Sequence, residues 1–138
     1  GEVIEEIEVQ KVGGEPTIDA AVLETVSDTL LEAVRHPHAT GKRARVPGVA
    51  VAGKTGTTQV VSLDLLKSMD PDEIPVRFRD HALFVGFAPA ESPEIVVAVV
   101  VEHGQSGGAA AAPIAQAVLE RYFSKQSGEV EEAPVASD

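Results

Sequence analysis

Two almost uninterrupted apolar runs, 81–89 (HALFVGFAP) and 95–103 (IVVAVVVEH), are separated only by AESPE, and no other stretch constrains the fold as tightly. Each run has the length of one strand, and the short polar link predicts a β-hairpin. Nearly every position is apolar, so alternation assigns neither face to water and both faces of the sheet are expected to be covered. A sheet of this kind needs helices around it. A chain of 138 residues with 43% apolar content is enough for one such domain.

The remaining segments supply candidates for those layers. In residues 3–12, Ile7 and Val9 alternate with Glu6 and Glu8, which predicts a strand with one wet face, ended by Gly13-Gly14. From Thr17 to Arg35, Ile18, Val22, Val26, Leu30 and Val34 recur every four residues, as an amphipathic helix requires, with Asp19 in the first turn and Pro37 as the stop. Residues 38–47 form a basic loop containing Gly and Pro. Val49–Val61, rich in Val, Ala and Thr, reads as a strand, and Ser62–Asp80 as a short helical turn with a loop. After a Gly-rich turn (Gly104, Gly107, Gly108), a helix is expected over Ala111–Phe123 with Ile114, Val118 and Tyr122 as its stripe. Residues 125–138 are acidic and free of aromatics, the composition of a disordered tail. The fold class is therefore α+β, an antiparallel sheet flanked by helices, with residues 1–124 as the folded portion. The start at Gly1, with neither Met nor a signal pattern, reads as that of a cut or processed piece.

Charge removes several function classes. Eleven basic against twenty-two acidic residues give a net charge of -11, which opposes binding to nucleic acid or to an anionic membrane surface. The one dense basic cluster is Lys42, Arg43 and Arg45, with Lys54 close behind. It is either a solvated loop or a rim that attracts anionic groups of a substrate. Cysteine is absent, so neither disulfides nor thiolate metal sites are available. No apolar run approaches the roughly 20 residues that span a bilayer.

GVAVAGKTGTTQ, residues 48–59, satisfies two chemical signatures at once. From Gly48 it spells G-x-x-x-x-G-K-T, the P-loop, which needs a strand before the first Gly and a helix starting at Lys-Thr to hold phosphate on its amides. Here KRARVP precedes Gly48, and Gly-Thr-Thr-Gln-Val-Val follows Lys-Thr, a poor start for a helix. From Lys54 it spells K-T-G-T, a motif of serine acyl-transfer enzymes that lies on a strand beside the cleft. In that reading Lys54 presents a fixed cation, Thr55 and Thr57 offer hydroxyls to a carboxylate, and Gly56 lets a ligand lie close to the strand. The backbone N–H of Thr57 is one of two donors to the oxyanion, a contribution of about 3 kcal/mol in comparable sites.

AGKTGTTQ, preceded by HATGKRARVPGV and followed by RFRDHALFVGFAPAESPEIVVAVVVEHG and a helix of small residues, resembles the C-terminal part of class B penicillin-binding proteins, most nearly the penicillin-binding protein 2 branch. The likeness covers about residues 15–124. It implies part of a five-stranded antiparallel sheet flanked by helices, the penicillin-binding-protein and β-lactamase type of transpeptidase fold. It implies serine acyl transfer on peptidoglycan stem peptides ending in D-alanyl-D-alanine, with β-lactams as acylating mimics. Lys54, Thr55, Gly56, Thr57 and Thr58 then bind substrate, with Lys54 and the Thr57 N–H also acting in catalysis. No cofactor and no metal are implied. The parent protein is expected at the periplasmic face of the inner membrane, working with a glycosyltransferase. Thr58, where the family often has Ala, and Leu83, where an aromatic is frequent, are minor departures.

Two departures are larger. The family's nucleophile lies in S-x-x-K and its second motif is S-x-N, yet no serine here has Lys three positions on and asparagine is absent. The chain contains no nucleophile of this type and is expected to be inert alone. A different class of reading stays open, in which the chain is a binding or self-associating module whose unpaired strand edge favours a dimer. His81 beside Asp80 could be imagined with Ser106 as a triad, but a structural Asp-His pair at the strand start is the plainer reading. His36 and His38, without a third ligand, read as partners of a helix end. Glu102 and the glycines after it either border the cleft or form a plain turn.

Overall fold

The computed structural model describes residues 18–70 and 73–126. The strand expected over residues 3–12 and the tail from 127 onward lie outside the described residues.

Helix α1 spans Ala20–Arg35. Asp19 is its cap and not a member of its first turn: the carboxylate accepts the Ala21 N–H at 2.8 Å, satisfying one of the amides that every helix start leaves without a partner. Three strands follow, β1 (Ala52–Thr58), β2 (His81–Ala88) and β3 (Ile95–Val101), in the antiparallel order β1-β2-β3. Between β1 and β2 lie the short helix α2 (Leu63–Lys67), capped by Ser62, and a 3₁₀ turn at Val76–Phe78. After β3 a π turn at Gly107–Ala111 runs directly into helix α3 (Ala112–Gln126). Helix α3 therefore continues two residues into the segment expected to be a tail.

The hairpin is present with the expected pairing, Phe84 opposite Val99 and Val85 opposite Ala98. Helices α1 and α3 meet the sheet on the face that carries Ala82 and Phe84, where Val34 of α1 and Ala112, Ala115 and Leu119 of α3 join them in one buried cluster. Phe84 is fully buried, and its ring lies against the paired glycines Gly53 and Gly86. A Cβ at Gly53 would stand 2.6 Å from the Phe84 ring, and one at Gly86 would stand 2.8 Å from it, so the missing side chains are what make room for the ring.

The opposite face departs from expectation. Val85, Val96 and Val100 sit there, with Val96 70% and Val100 64% exposed. Coverage of both faces, inferred from the apolar runs, is not realised among the described residues. Helix α1 repeats the pattern: of its apolar stripe, Val34 is buried at its C-terminal end, while Ile18, Val22 and Val26 are exposed. Helix α3 turns a different side to the sheet than its larger residues suggest. Its buried positions are Ala112, Ala115 and Leu119, and Ile114 and Val118 face outward. Small side chains let the helix axis approach the sheet closely, so alanines occupy the contact.

Candidate functional site

Strand β1 begins in the core, with Ala52 and Gly53 buried, and emerges toward solvent from Lys54 onward. It pairs with β2 along one side only, so among the described residues its other edge is open. Lys54, Thr55, Gly56 and Thr57 line a groove of about 540 Å³ along that strand. Two further segments complete the groove. One is the loop carrying Ala39, Thr40, Lys42 and Arg43, and the other is the glycine-rich turn Ser106–Ala109.

Each wall is positioned by identifiable contacts. The loop is tied to the end of α1 by Arg45, whose guanidinium donates to the carbonyls of Val34 (2.9 Å), Arg35 (2.8 Å) and His36 (2.7 Å). These are carbonyls that a helix end leaves without partners, so the cation both satisfies them and complements the negative end of the helix dipole. Gly41 packs between the Ala33 carbonyl and the Val34 side chain, and a 3₁₀ turn over Lys42–Ala44 buries Ala44. The loop then meets the strand through a hydroxyl pair, Thr40 Oγ1 to Thr55 Oγ1 at 2.9 Å. On the other wall, Ser106 caps the π turn, its Oγ accepting the Ala109 N–H at 3.3 Å. Gly107 lies so close to the backbone of Gly56 and Leu83 that a Cβ there would collide with both carbonyl oxygens.

The electrostatics of this groove contrast with those of the chain. Its lining holds three cations, Lys42, Arg43 and Lys54, and no acidic side chain. Among the described residues none of the three is ion-paired; the one salt bridge joins Arg35 to Glu32 on α1. Lys54 Nζ donates to the Thr55 carbonyl at 2.7 Å, and Arg43 Nη1 reaches the Ala109 carbonyl across the groove at 3.4 Å.

Four of the five residues singled out for substrate binding are thus brought together. The fifth, Thr58, sits at the end of β1 opposite His81 and does not line the groove. Lys42 and Arg43 line the groove, whereas Arg45 is spent on the helix end. Ser106 is a wall residue that sequence reasoning named only as a triad partner. The Gly-rich turn was visible, but its meeting with β1 depends on how α3 docks.

The Asp80–His81 pair takes a different form from the one expected. His81 Nδ1 accepts the backbone N–H of His103 at 2.9 Å, and the two imidazole rings lie 4.8 Å apart. His103 adopts a left-handed conformation (φ 57) at the turn that leaves β3. Asp80 Oδ1 is buried with no hydrogen-bond partner among the described residues. At the end of α1, His36 Nδ1 accepts the His38 N–H at 3.2 Å, a local turn contact. Lys54-Thr55 lies inside β1, and no helix begins there of the kind a phosphate-binding P-loop uses.

Among the described residues, a sheet backed by helices on one face, with K-T-G on an edge strand beside a cation-lined groove, is the partial fold of a penicillin-recognising transpeptidase domain. Residues 2–120 match the family described as the penicillin binding protein transpeptidase domain, and the chain belongs to that family. It is 50% identical over 72 residues to the peptidoglycan D,D-transpeptidase MrdA of Acinetobacter baumannii, covering 52% of this chain and 11% of that protein. Its fold is similar to the crystal structure of Pseudomonas aeruginosa PBP2 in complex with WCK 5153. That likeness has a TM-score of 0.61 and 34% identity, over 82% of this chain and 21% of the other. It is also similar to penicillin-binding protein A from Mycobacterium tuberculosis in its ceftriaxone acyl-enzyme complex, with TM-score 0.54 and 33% identity over 72% of this chain and 20% of that one. The chain thus spans between about a tenth and about a fifth of the lengths of these relatives. No helix among the described residues is long and apolar enough to cross a membrane.

Proposed function

We propose that this chain is the C-terminal part of a peptidoglycan D,D-transpeptidase and supplies the substrate-holding strand of its active site, while the nucleophilic serine comes from a segment outside the chain. The observation that carries this reading is the alignment of Lys54, Thr55, Gly56 and Thr57 along one groove on the open edge of β1.

In the reaction, the serine Oγ attacks the carbonyl carbon of the penultimate D-alanine and the developing oxyanion is held by two backbone donors, of which the Thr57 N–H is one. The peptide C–N bond breaks, the terminal D-alanine leaves as an amine with the proton taken from the serine, and an ester joins the peptide to the enzyme. An amine of a neighbouring stem peptide then attacks the ester, and the serine recovers its proton. Lys54 and the hydroxyls of Thr55 and Thr57 hold the terminal carboxylate in line for the first step. β-Lactams enter by the same route and stop at the ester. Without S-x-x-K and S-x-N, the chain alone forms no acyl-enzyme. The parent enzyme works at the periplasmic face of the inner membrane beside a glycosyltransferase that makes the strands it cross-links.

The test is the benzylpenicillin acylation rate of the complete transpeptidase carrying this segment. Lys54→Ala lowers that rate on the order of 100-fold, the scale of losing one preorganised electrostatic group. Thr57→Pro, which removes both the backbone donor and the hydroxyl assigned to the carboxylate, lowers it at least as much. Thr58→Ala, beyond the groove, leaves it within about threefold, since surface changes away from a site have small effects. Equal rates for Lys54→Ala and the unaltered enzyme would refute the assignment.

A further inference from the structure

We propose that Lys42 and Arg43 form a second anion subsite in the groove, which receives a carboxylate of the peptide substrate other than the terminal one held at Lys54, Thr55 and Thr57. The proposal rests on the transpeptidase reading above and adds to it a basis for choosing among peptides. One terminal carboxylate is answered by Lys54 and two hydroxyls. The groove holds two more cations than that ligand needs, and its lining contains no carboxylate to neutralise them. In a chain of net charge -11, this concentration of positive charge is a local exception. A groove lined by three cations and no carboxylate draws an anion to one place.

The geometry fits a docking role. The loop that presents both residues is immobilised at three points: the Arg45 bonds to α1, the Gly41 contact with Ala33 and Val34, and the Thr40–Thr55 hydroxyl pair. Lys42 and Arg43 are exposed on a fixed base. Arg43 is engaged only by a 3.4 Å bond to the Ala109 carbonyl, at the long limit for an N–H···O contact. A carboxylate in the groove replaces that weak bond with a shorter charge-assisted one, and the planar guanidinium can take it with two parallel donors. The ligand class is therefore an acidic peptide that lies along β1, with a side-chain or branch carboxylate reaching the 38–47 loop.

The experiment uses the complete transpeptidase and two acyl-donor peptides ending in D-alanyl-D-alanine, identical except that one bears a side-chain carboxylate and the other its amide. The unaltered enzyme prefers the carboxylate peptide roughly tenfold in kcat/KM, the scale of one charge-assisted hydrogen bond, with the difference in KM. That preference shrinks as ionic strength rises. In the Lys42→Ala/Arg43→Ala variant the ratio between the two peptides falls to near one, and the charge-conserving Lys42→Arg/Arg43→Lys variant restores most of it. A ratio that is the same in the alanine variant and the unaltered enzyme, or a ratio of one in both, overturns the subsite. Benzylpenicillin acylation of the unaltered enzyme is followed in parallel by intact mass. Its absence overturns the transpeptidase reading itself, whereas acylation without the peptide preference overturns only the subsite.

Discussion

Arg45 holds the wall of the groove without touching it, because its guanidinium satisfies three carbonyls at the end of α1. Arg45→Ala leaves those groups without their donor and is expected to cost about 1–3 kcal/mol, read as a lower urea midpoint at unchanged slope. Arg45→Lys recovers only part, since an ammonium cannot reproduce the planar fork. Gly107→Ala is destabilising for a different reason: the added methyl meets the backbone oxygens of Leu83 and Gly56, which cannot rotate away. A loss of about 1–3 kcal/mol is expected from such overpacking, with the groove wall displaced, and unfolding of the variant beside the unaltered chain measures it. At this scale the sequence was informative where chemistry is carried by residue type. Lys54-Thr55-Gly56-Thr57 names its own strand and its own hydroxyls. Arg45 was not legible in the same way: three neighbouring basic residues look alike in a loop, and only the path of the chain around the end of α1 separates the helix partner from the two that face the groove.

Helix α3 illustrates what periodicity misses. Ile114, Val118 and Tyr122 are its largest regularly spaced apolar residues, yet the packed face is Ala112, Ala115 and Leu119. Leu119→Ala is therefore expected to cost about 2–5 kcal/mol, while Ile114→Ala and Val118→Ala each stay within about 1 kcal/mol because those side chains are half in water. Thermal or urea unfolding of the three variants distinguishes the two faces, and larger losses for Ile114→Ala and Val118→Ala than for Leu119→Ala would show that the helix docks the other way. The hairpin and the strand bearing K-T-G were legible, since a run of apolar residues at strand length between turn signals has few alternatives. The helix face was not, because close approach to a sheet selects small side chains, and smallness carries no hydrophobic periodicity.

At the level of the whole molecule, apolar surface is left over: the outer face of β2 and β3, with Val96 and Val100, and the N-terminal half of α1, with Val22 and Val26. The apolar character of both hairpin strands led to an expectation of two covers, and the described residues supply only one. Such surface, beside strand edges left open among the described residues, favours association when the chain is alone. Sedimentation of the isolated chain is expected to show mass rising with concentration, and Val96→Lys/Val100→Lys is expected to suppress the rise. On the proposed reading, this chain holds the substrate strand and not the nucleophile. Intact-mass analysis after benzylpenicillin exposure tests it most directly, applied to the chain alone and to the chain joined to the segment bearing S-x-x-K and S-x-N. One covalent adduct is expected on the joined protein and none on the chain alone; an adduct on the chain alone, or none on either, would overturn this division of roles.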